Sequence, residues 1–163
     1  NMAEHLAEKY GSTPAQSVEN RKRLTQMGQD LGFTFNFSDD TRMQNTFAAH
    51  QLLTWAQAQG LQHPLKMALF DAHFTQGRNV NDTDVLADVA ASVGLDRDEA
   101  LEVLRSGSFA EQTREAQQFW TSRGISGVPS MIFEGKYLIT GAQGAENYAQ
   151  ILRKVLEERD AAA

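Results

Sequence analysis

Apolar residues recur at helical spacing along most of this chain and abandon it at two places. Thr13-Pro14-Ala15-Gln16 puts a cap, a proline at the first helical position and a capping-box glutamine in register. The helix it opens is predicted to run to about Leu31, with Val18, Leu24, Met27 and Leu31 as one apolar stripe and Gly32 as its stop. Before it, Met2–Tyr10 reads as a short helix ended by Gly11. Asn45–Gln59 carries Phe47, Ala48, Leu52, Leu53, Trp55 and Ala56 on more than one side, which predicts burial against two neighbours. Gln62–Gln76 behaves alike, with Leu65, Met67, Leu69, Phe70 and Phe74. Three more helices have start signals and a glycine after them: Thr83/Asp84–Val93, Asp96-x-x-Glu99 running to Ser106, and Ser108-x-x-Glu111 running to Arg123. Ala145–Glu158 closes the series, with Tyr148, Ile151, Leu152, Val155 and Leu156 on one face and Glu146 in its first turn, and Asp160–Ala163 is expected to fray.

The first break is Phe33-Thr34-Phe35-Asn36-Phe37, which alternates with period two and is expected to be extended; the polar turn Ser38-Asp39-Asp40-Thr41 follows it. The second is Met131–Phe133 and Tyr137–Ile139, two apolar runs joined by Glu134-Gly135, which predict a β-hairpin at about residues 130–139. Both runs are apolar at every position, the pattern of strands covered on both faces inside a layered α/β core. Two strands alone are marginal in water. The hairpin therefore calls for partner strands that the rest of the chain does not offer, and its bare apolar side for a homodimer or swapped assembly over Met131–Phe133.

Composition narrows the function classes. The 163 residues suffice for one core, and 41% apolar content is globular. A net charge of −6 argues against a nucleic-acid or anionic-membrane partner. No apolar run approaches the roughly 20 residues of a membrane span. With no cysteine, disulfides, thiolate zinc sites and cysteine nucleophiles are excluded within these residues. His5, His50, His63 and His73 are scattered, so no metal site is expected. The plain reading of His50 is a hydrogen-bonded core histidine, with His63 and His73 structural or superficial. Met27, Met43, Met67 and Met131 are expected to fill core gaps, and Asp39-Asp40 and Glu157-Glu158 to be caps or solvated faces. Asn1 stands before Met2, which leaves an added residue or a longer chain cut at this point; the second is expected.

Gly127-Val128-Pro129-Ser130, the Phe133–Tyr137 hairpin, Thr140-Gly141-Ala142-Gln143 and the terminal helix together resemble the closing half of a thioredoxin-like domain. With Leu6-Ala7-Glu8-Lys9-Tyr10-Gly11, Phe35-Asn36-Phe37, Asn45-Thr46-Phe47, Ala49-His50 and Gly124-Ile125-Ser126, in that order, the whole chain is similar to the FrnE-type branch of the DsbA family. The resemblance implies an α/β thioredoxin-like fold with an inserted helical domain, here mostly α with one hairpin because the family's first strands and its Cys-x-x-Cys are absent. It implies residues 1–124 as mainly the helical domain with flanking helices, and 125–163 as the closing half. It implies a protein or small-molecule thiol/disulfide substrate, no cofactor, and a cytoplasmic setting. It also implies a cis bond before Pro129, a substrate-pairing role for Val128 and Pro129, and a substrate-lining place for His50. A dithiol supplies the chemistry in such proteins, so this segment alone is expected to be redox-inert. Two alternatives stand beside this reading. One is a glutathione-dependent enzyme resembling 2-hydroxychromene-2-carboxylate isomerase, and the other is a non-catalytic helical binding module.

Overall fold

The structure is a computed structural model describing residues 13–37 and 44–161. The helix expected over Met2–Tyr10, the Ser38-Asp39-Asp40-Thr41 turn and the core place given to Met43 lie outside those residues. Among the described residues there are seven α-helices, one π-helical turn and a two-stranded sheet. They fall into two compact units, the first ending at Arg114 and the second beginning at Glu115.

In the first unit, α1 (Pro14–Asp30) begins at the capping box the sequence announced. The Thr13 hydroxyl accepts from the Gln16 N–H (3.2 Å), and the Gln16 side-chain oxygen accepts from the Thr13 N–H (2.8 Å). The core is made by α2 (Phe47–Gln57), α3 (Gln62–Phe70), α4 (Thr83–Ser92) and α5 (Arg97–Ser106). Leu52, Leu65 and Leu86 are wholly buried among Ala56, Ala87, Ala90 and Ala100, small residues that let helix axes come close. Aspartates start two of these helices. Asp82 accepts from the N–H groups of Asp84 and Val85 (2.9 and 3.2 Å), one residue before the predicted start, and Asp96 accepts from that of Glu99 (2.8 Å). The helix α6 (Ala110–Thr121) begins slightly later than Ser108 suggested; its buried Thr113 shares a 3.1 Å hydroxyl bond with Thr54 of α2, and the Arg114 guanidinium lies 4.9 Å from the Phe47 ring centre.

The helix predicted over Gln62–Gln76 is α-helical only to Phe70 and then widens into a π-helical turn, Asp71–Thr75. That turn is what the alternating Phe33–Phe37 segment binds, which explains why the segment is extended without being a strand. Asn36 donates its N–H to the Phe74 carbonyl (2.9 Å) and its side-chain amide to that of Thr75 (2.6 Å), while the Thr75 hydroxyl donates to the Thr34 carbonyl (2.6 Å). Phe33, Phe35 and Phe37 are half-buried, and Thr34 and Asn36 are exposed. The segment crosses α1 so closely that a Cβ on Gly28 would stand 2.6 Å from the Phe35 ring, so no larger residue fits there.

Two expectations are overturned in the packing. The α1 stripe of Val18, Leu24, Met27 and Leu31 is exposed, Leu31 to 84%, and Ser17 is the one buried residue among the described α1 side chains. Met27, Met67 and Met131 are likewise exposed rather than filling the core, whose buried side chains are Leu, Val, Ala and Trp55.

The second unit holds β1 (Ser130–Phe133), β2 (Tyr137–Thr140) and α7 (Ala145–Ala161). The strands are antiparallel, with Ser130 opposite Thr140 and Phe133 opposite Tyr137. Three residues join them, not two: Glu134 and Gly135 both take positive φ (52° and 65°), and the Lys136 N–H donates to the Phe133 carbonyl at 3.0 Å. One face of the hairpin meets α7, through Phe133 beside Tyr148 (ring centres 6.5 Å apart) and through Tyr137, whose hydroxyl donates to Glu158. The strands are not covered on both faces as their apolar runs led one to expect. Met131, Ile132 and Leu138 are 43, 40 and 40% exposed, since a two-stranded sheet carrying one helix has too few neighbours to bury them. The terminal helix continues through Asp160 to Ala161 instead of fraying after Glu158.

Candidate functional site

Pro129 enters β1 from a loop held at both of its ends. The Ser130 hydroxyl donates to the Gly127 carbonyl (2.7 Å), and the Gly141 N–H donates to the Pro129 carbonyl (2.8 Å), tying the loop to the end of β2. The far side of Gly141 is fixed as well, its carbonyl accepting from the Tyr148 hydroxyl of α7 (2.9 Å). Between these anchors the Val128–Pro129 bond is cis. Val128 is 91% exposed, and neither its N–H nor its C=O is hydrogen-bonded among the described residues. A fixed loop with one open peptide unit, beside a strand whose edge is unpaired among the described residues, can accept an extended chain by strand addition. Proline contributes here by what it lacks: it has no N–H to compete for that chain.

Val128 and Pro129 share the second unit, and His50 belongs to the first. His50 is exposed on α2, so the core-histidine reading does not hold. The helix turns Ala49, Leu52 and Ala56 inward and leaves the imidazole outside, with no hydrogen bond to its ring among the described residues. His63 is exposed, and His73 sits in the π-helical turn with its ring edge-on to Phe74 (4.6 Å).

The charged groups that pair among the described residues read as structural links. Arg97 bridges Asp88 (2.8 Å) and Asp84 (3.0 Å), and Arg78 approaches Asp88 from the other side (3.4 Å). The Arg97 hydrogen bond holds the Asp88 carboxyl below its ordinary range, which suits a staple between α4 and α5. Among the described residues no cluster of histidine and carboxylate side chains could hold a metal ion, and no helix is long and apolar enough to cross a membrane.

Sequence reasoning passed over the opposite face of the hairpin, where Phe119, Trp120 and Arg123 meet Ile132 and Leu138 around a hollow. Its signal was an adjacent aromatic pair with an arginine one turn later, at the end of a helix otherwise polar.

Comparison with known proteins finds relatives over most of the chain. The sequence profile described as the DSBA-like thioredoxin domain matches residues 1–153. The thiol:disulfide interchange protein DsbA of Azotobacter vinelandii is 30% identical over 114 residues, covering 69% of this chain and 53% of that protein. Its namesake in Pseudomonas syringae pv. tomato is 27% identical over 115 residues, covering 69% and 54%. The crystal structure of a probable DsbA oxidoreductase from Streptomyces coelicolor superposes with a TM-score of 0.86 at 29% identity, covering 94% of this chain and 66% of that one. The chain thus spans about half the length of the curated relatives it matches.

Proposed function

This chain belongs to the DSBA-like thioredoxin domain family, and from that membership we propose that it is the helical-domain and proline-loop portion of a thiol-disulfide oxidoreductase of the FrnE-like branch. On this reading residues 1–124 are mainly the inserted helical domain and 125–163 the closing half of the thioredoxin-like domain. The observation that carries the proposal is a family match across residues 1–153 in a chain without a single cysteine. Disulfide exchange needs a thiolate nucleophile, so the dithiol has to come from residues outside these 163, and the segment alone is redox-inert. Val128 and Pro129 receive the extended substrate, a protein or small-molecule thiol or disulfide, because their loop is fixed and its peptide unit is open. On the same reading His50, exposed on α2, has a substrate-lining role. The bare hairpin is covered in the working protein, by further strands or by a second copy, since exposed apolar strand edges invite pairing. The working compartment on this reading is the cytoplasm.

The test is a side-by-side turnover assay, reduction of insulin and oxidation of a reduced client, on the 163-residue chain, on the chain extended by the codons upstream of Asn1, and on the extended chain with Pro129→Ala. The short chain is expected to be inert, the extended chain active, and the variant impaired or trapped as mixed disulfides. Turnover by the short chain, or an inert extended chain with an intact Cys-x-x-Cys, overturns the proposal. A serine in place of that motif moves the reading to glutathione-dependent chemistry.

A further inference from the structure

The hairpin face turned away from α7 carries a hollow of about 440 Å³ that the proline-loop reading does not use. Ile132 and Leu138 are opposite one another in the strands and form its apolar floor. Phe119 and Trp120, edge to face with ring centres 4.9 Å apart, form a wall and remain close to half exposed. Arg123 and Lys136 stand at the margin. The Arg123 guanidinium lies 3.5 Å from the Phe119 ring centre, and its Nη1 donates to the Phe119 carbonyl (2.9 Å), so this cation is fixed in place. Neither cation pairs with a carboxylate among the described residues, and Glu134, two residues before Lys136, is engaged with Arg159.

Two cations without a carboxylate partner beside an aromatic wall, in a chain of net charge −6, are a combination that one kind of ligand satisfies. We propose that this hollow binds a small aromatic acid, its ring between Trp120 and the Ile132–Leu138 floor and its carboxylate at Arg123 and Lys136. The volume suits a one- or two-ring compound, falling within the range of about 300–1,000 Å³ usual for small-molecule pockets. A neutral ring compound would bury the same area without engaging the cations, and an aliphatic anion would engage the cations without filling the aromatic wall. The acid's charge is met at the exposed margin, so it keeps part of its hydration while the ring loses its own.

The probe is 2-naphthoate, titrated by calorimetry into the 163-residue chain, with 2-naphthamide as its neutral twin. Saturable one-to-one binding of the acid is expected, with the amide about tenfold weaker. Lys136→Gln and Arg123→Gln should each weaken the acid about two- to fivefold and leave the amide unchanged, as exposed ion pairs do. Trp120→Ala should remove binding of both, with circular dichroism showing that the helices persist. Equal affinity for acid and amide, indifference to the two cation substitutions, or no saturable binding overturns the proposal. So does loss of binding in the upstream-extended chain, because the added residues would then occupy the hollow as a packing surface. None of these results depends on dithiol turnover, so this site can fail while the oxidoreductase reading stands, and the reverse.

Discussion

The α2–α5 block and the hairpin unit both carry strongly apolar stretches, and only the first closes. In the block the main apolar helix faces meet one another, and fifteen apolar side chains from Ala49 to Val103 form one cluster. In the hairpin unit Val155 is the one apolar residue fully buried among those described, while Met131, Ile132, Leu138, Phe119 and Trp120 stay 40 to 47% exposed. The difference lies in what each pattern needs. A helix with a stripe is satisfied by two or three neighbouring helices that short loops bring back to it. A strand apolar on both faces needs a layer above, a layer below and strands at its sides. Local sequence can supply the first requirement and not the second, so the hairpin reads as part of a larger sheet.

The sharpest way to break this contrast is to remove equal volume from both regions. Leu65→Ala, at a wholly buried position, should cost about 2–5 kcal/mol in urea unfolding followed by Trp55 emission, since Trp55 is in the same cluster. Ile132→Ala in the hairpin should cost about 1 kcal/mol or less, because its side chain already keeps much of its contact with water. Comparable losses at the two sites would mean that the hairpin is as closed as the helical block. A smaller effect tests whether the block rests on its helix starts as well as its core. Asp96→Ala removes the acceptor of the Glu99 N–H and should lower the stability of the block by about 1 kcal/mol, with Asp96→Asn recovering most of it.

The helical order was legible because it depends on near neighbours: caps at Thr13 and Asp96, stops at Gly94 and Gly107, and the Leu and Ala spacing of α2 to α5. The hairpin was legible for a different reason, two apolar runs around a Glu-Gly turn. What escaped depends on distant partners. The α1 stripe of Val18, Leu24, Met27 and Leu31 has good periodicity, yet period says only that a face is apolar, not that another face meets it. The π-helical turn at Asp71–Thr75 is set by its bonds to Thr34 and Asn36, some forty residues earlier, and no local signal announces it. His50 went the same way: an apolar helix suggested a buried ring, and the rotation of one residue, about 100°, separates it from the buried Ala49. At the candidate site, Val128 and Pro129 were read from a motif, whereas the Phe119–Trp120 wall exists only once β1 and β2 pair beneath it.

Acid should separate the two regions further. The Asp88 carboxyl is held below its ordinary value by its hydrogen bond to Arg97, so the folded state binds that proton less readily than the unfolded chain does. Its contribution is present above the ordinary carboxylate range and is lost as pH falls through the lowered value. Asp88→Asn should therefore reduce the difference in urea midpoint between pH 7 and pH 3 for the helical block, and leave the hairpin unit unmoved. An unchanged difference would show that the Arg97 bridge links α4 and α5 without contributing to their stability, as many exposed pairs do.

Base addresses the other region and gives the smallest effect. Tyr137 donates its hydroxyl to Glu158 of α7, and that bond raises the phenol above its ordinary value. The sign follows from which form holds the bond. The neutral phenol donates, the phenolate cannot, and the phenolate would also face a carboxylate. The contribution is thus complete below the ordinary phenol range of about pH 10 and disappears as pH rises through the raised value. The chain has three tyrosines, so an absorbance titration of the phenolates resolves the point directly. The Tyr137 ionisation, read as the difference between the parent chain and Tyr137→Phe, should lie above the ordinary phenol range and move to lower pH in Glu158→Gln, where only an uncharged acceptor remains. In parallel, the loss of hairpin order between pH 9 and pH 11 should be steeper in the parent chain than in Tyr137→Phe. If that difference ionisation lies no higher than the ordinary phenol range, the contact between the hairpin and α7 is held by Phe133 and Tyr148 alone, and the hairpin unit is looser still beside the helical block.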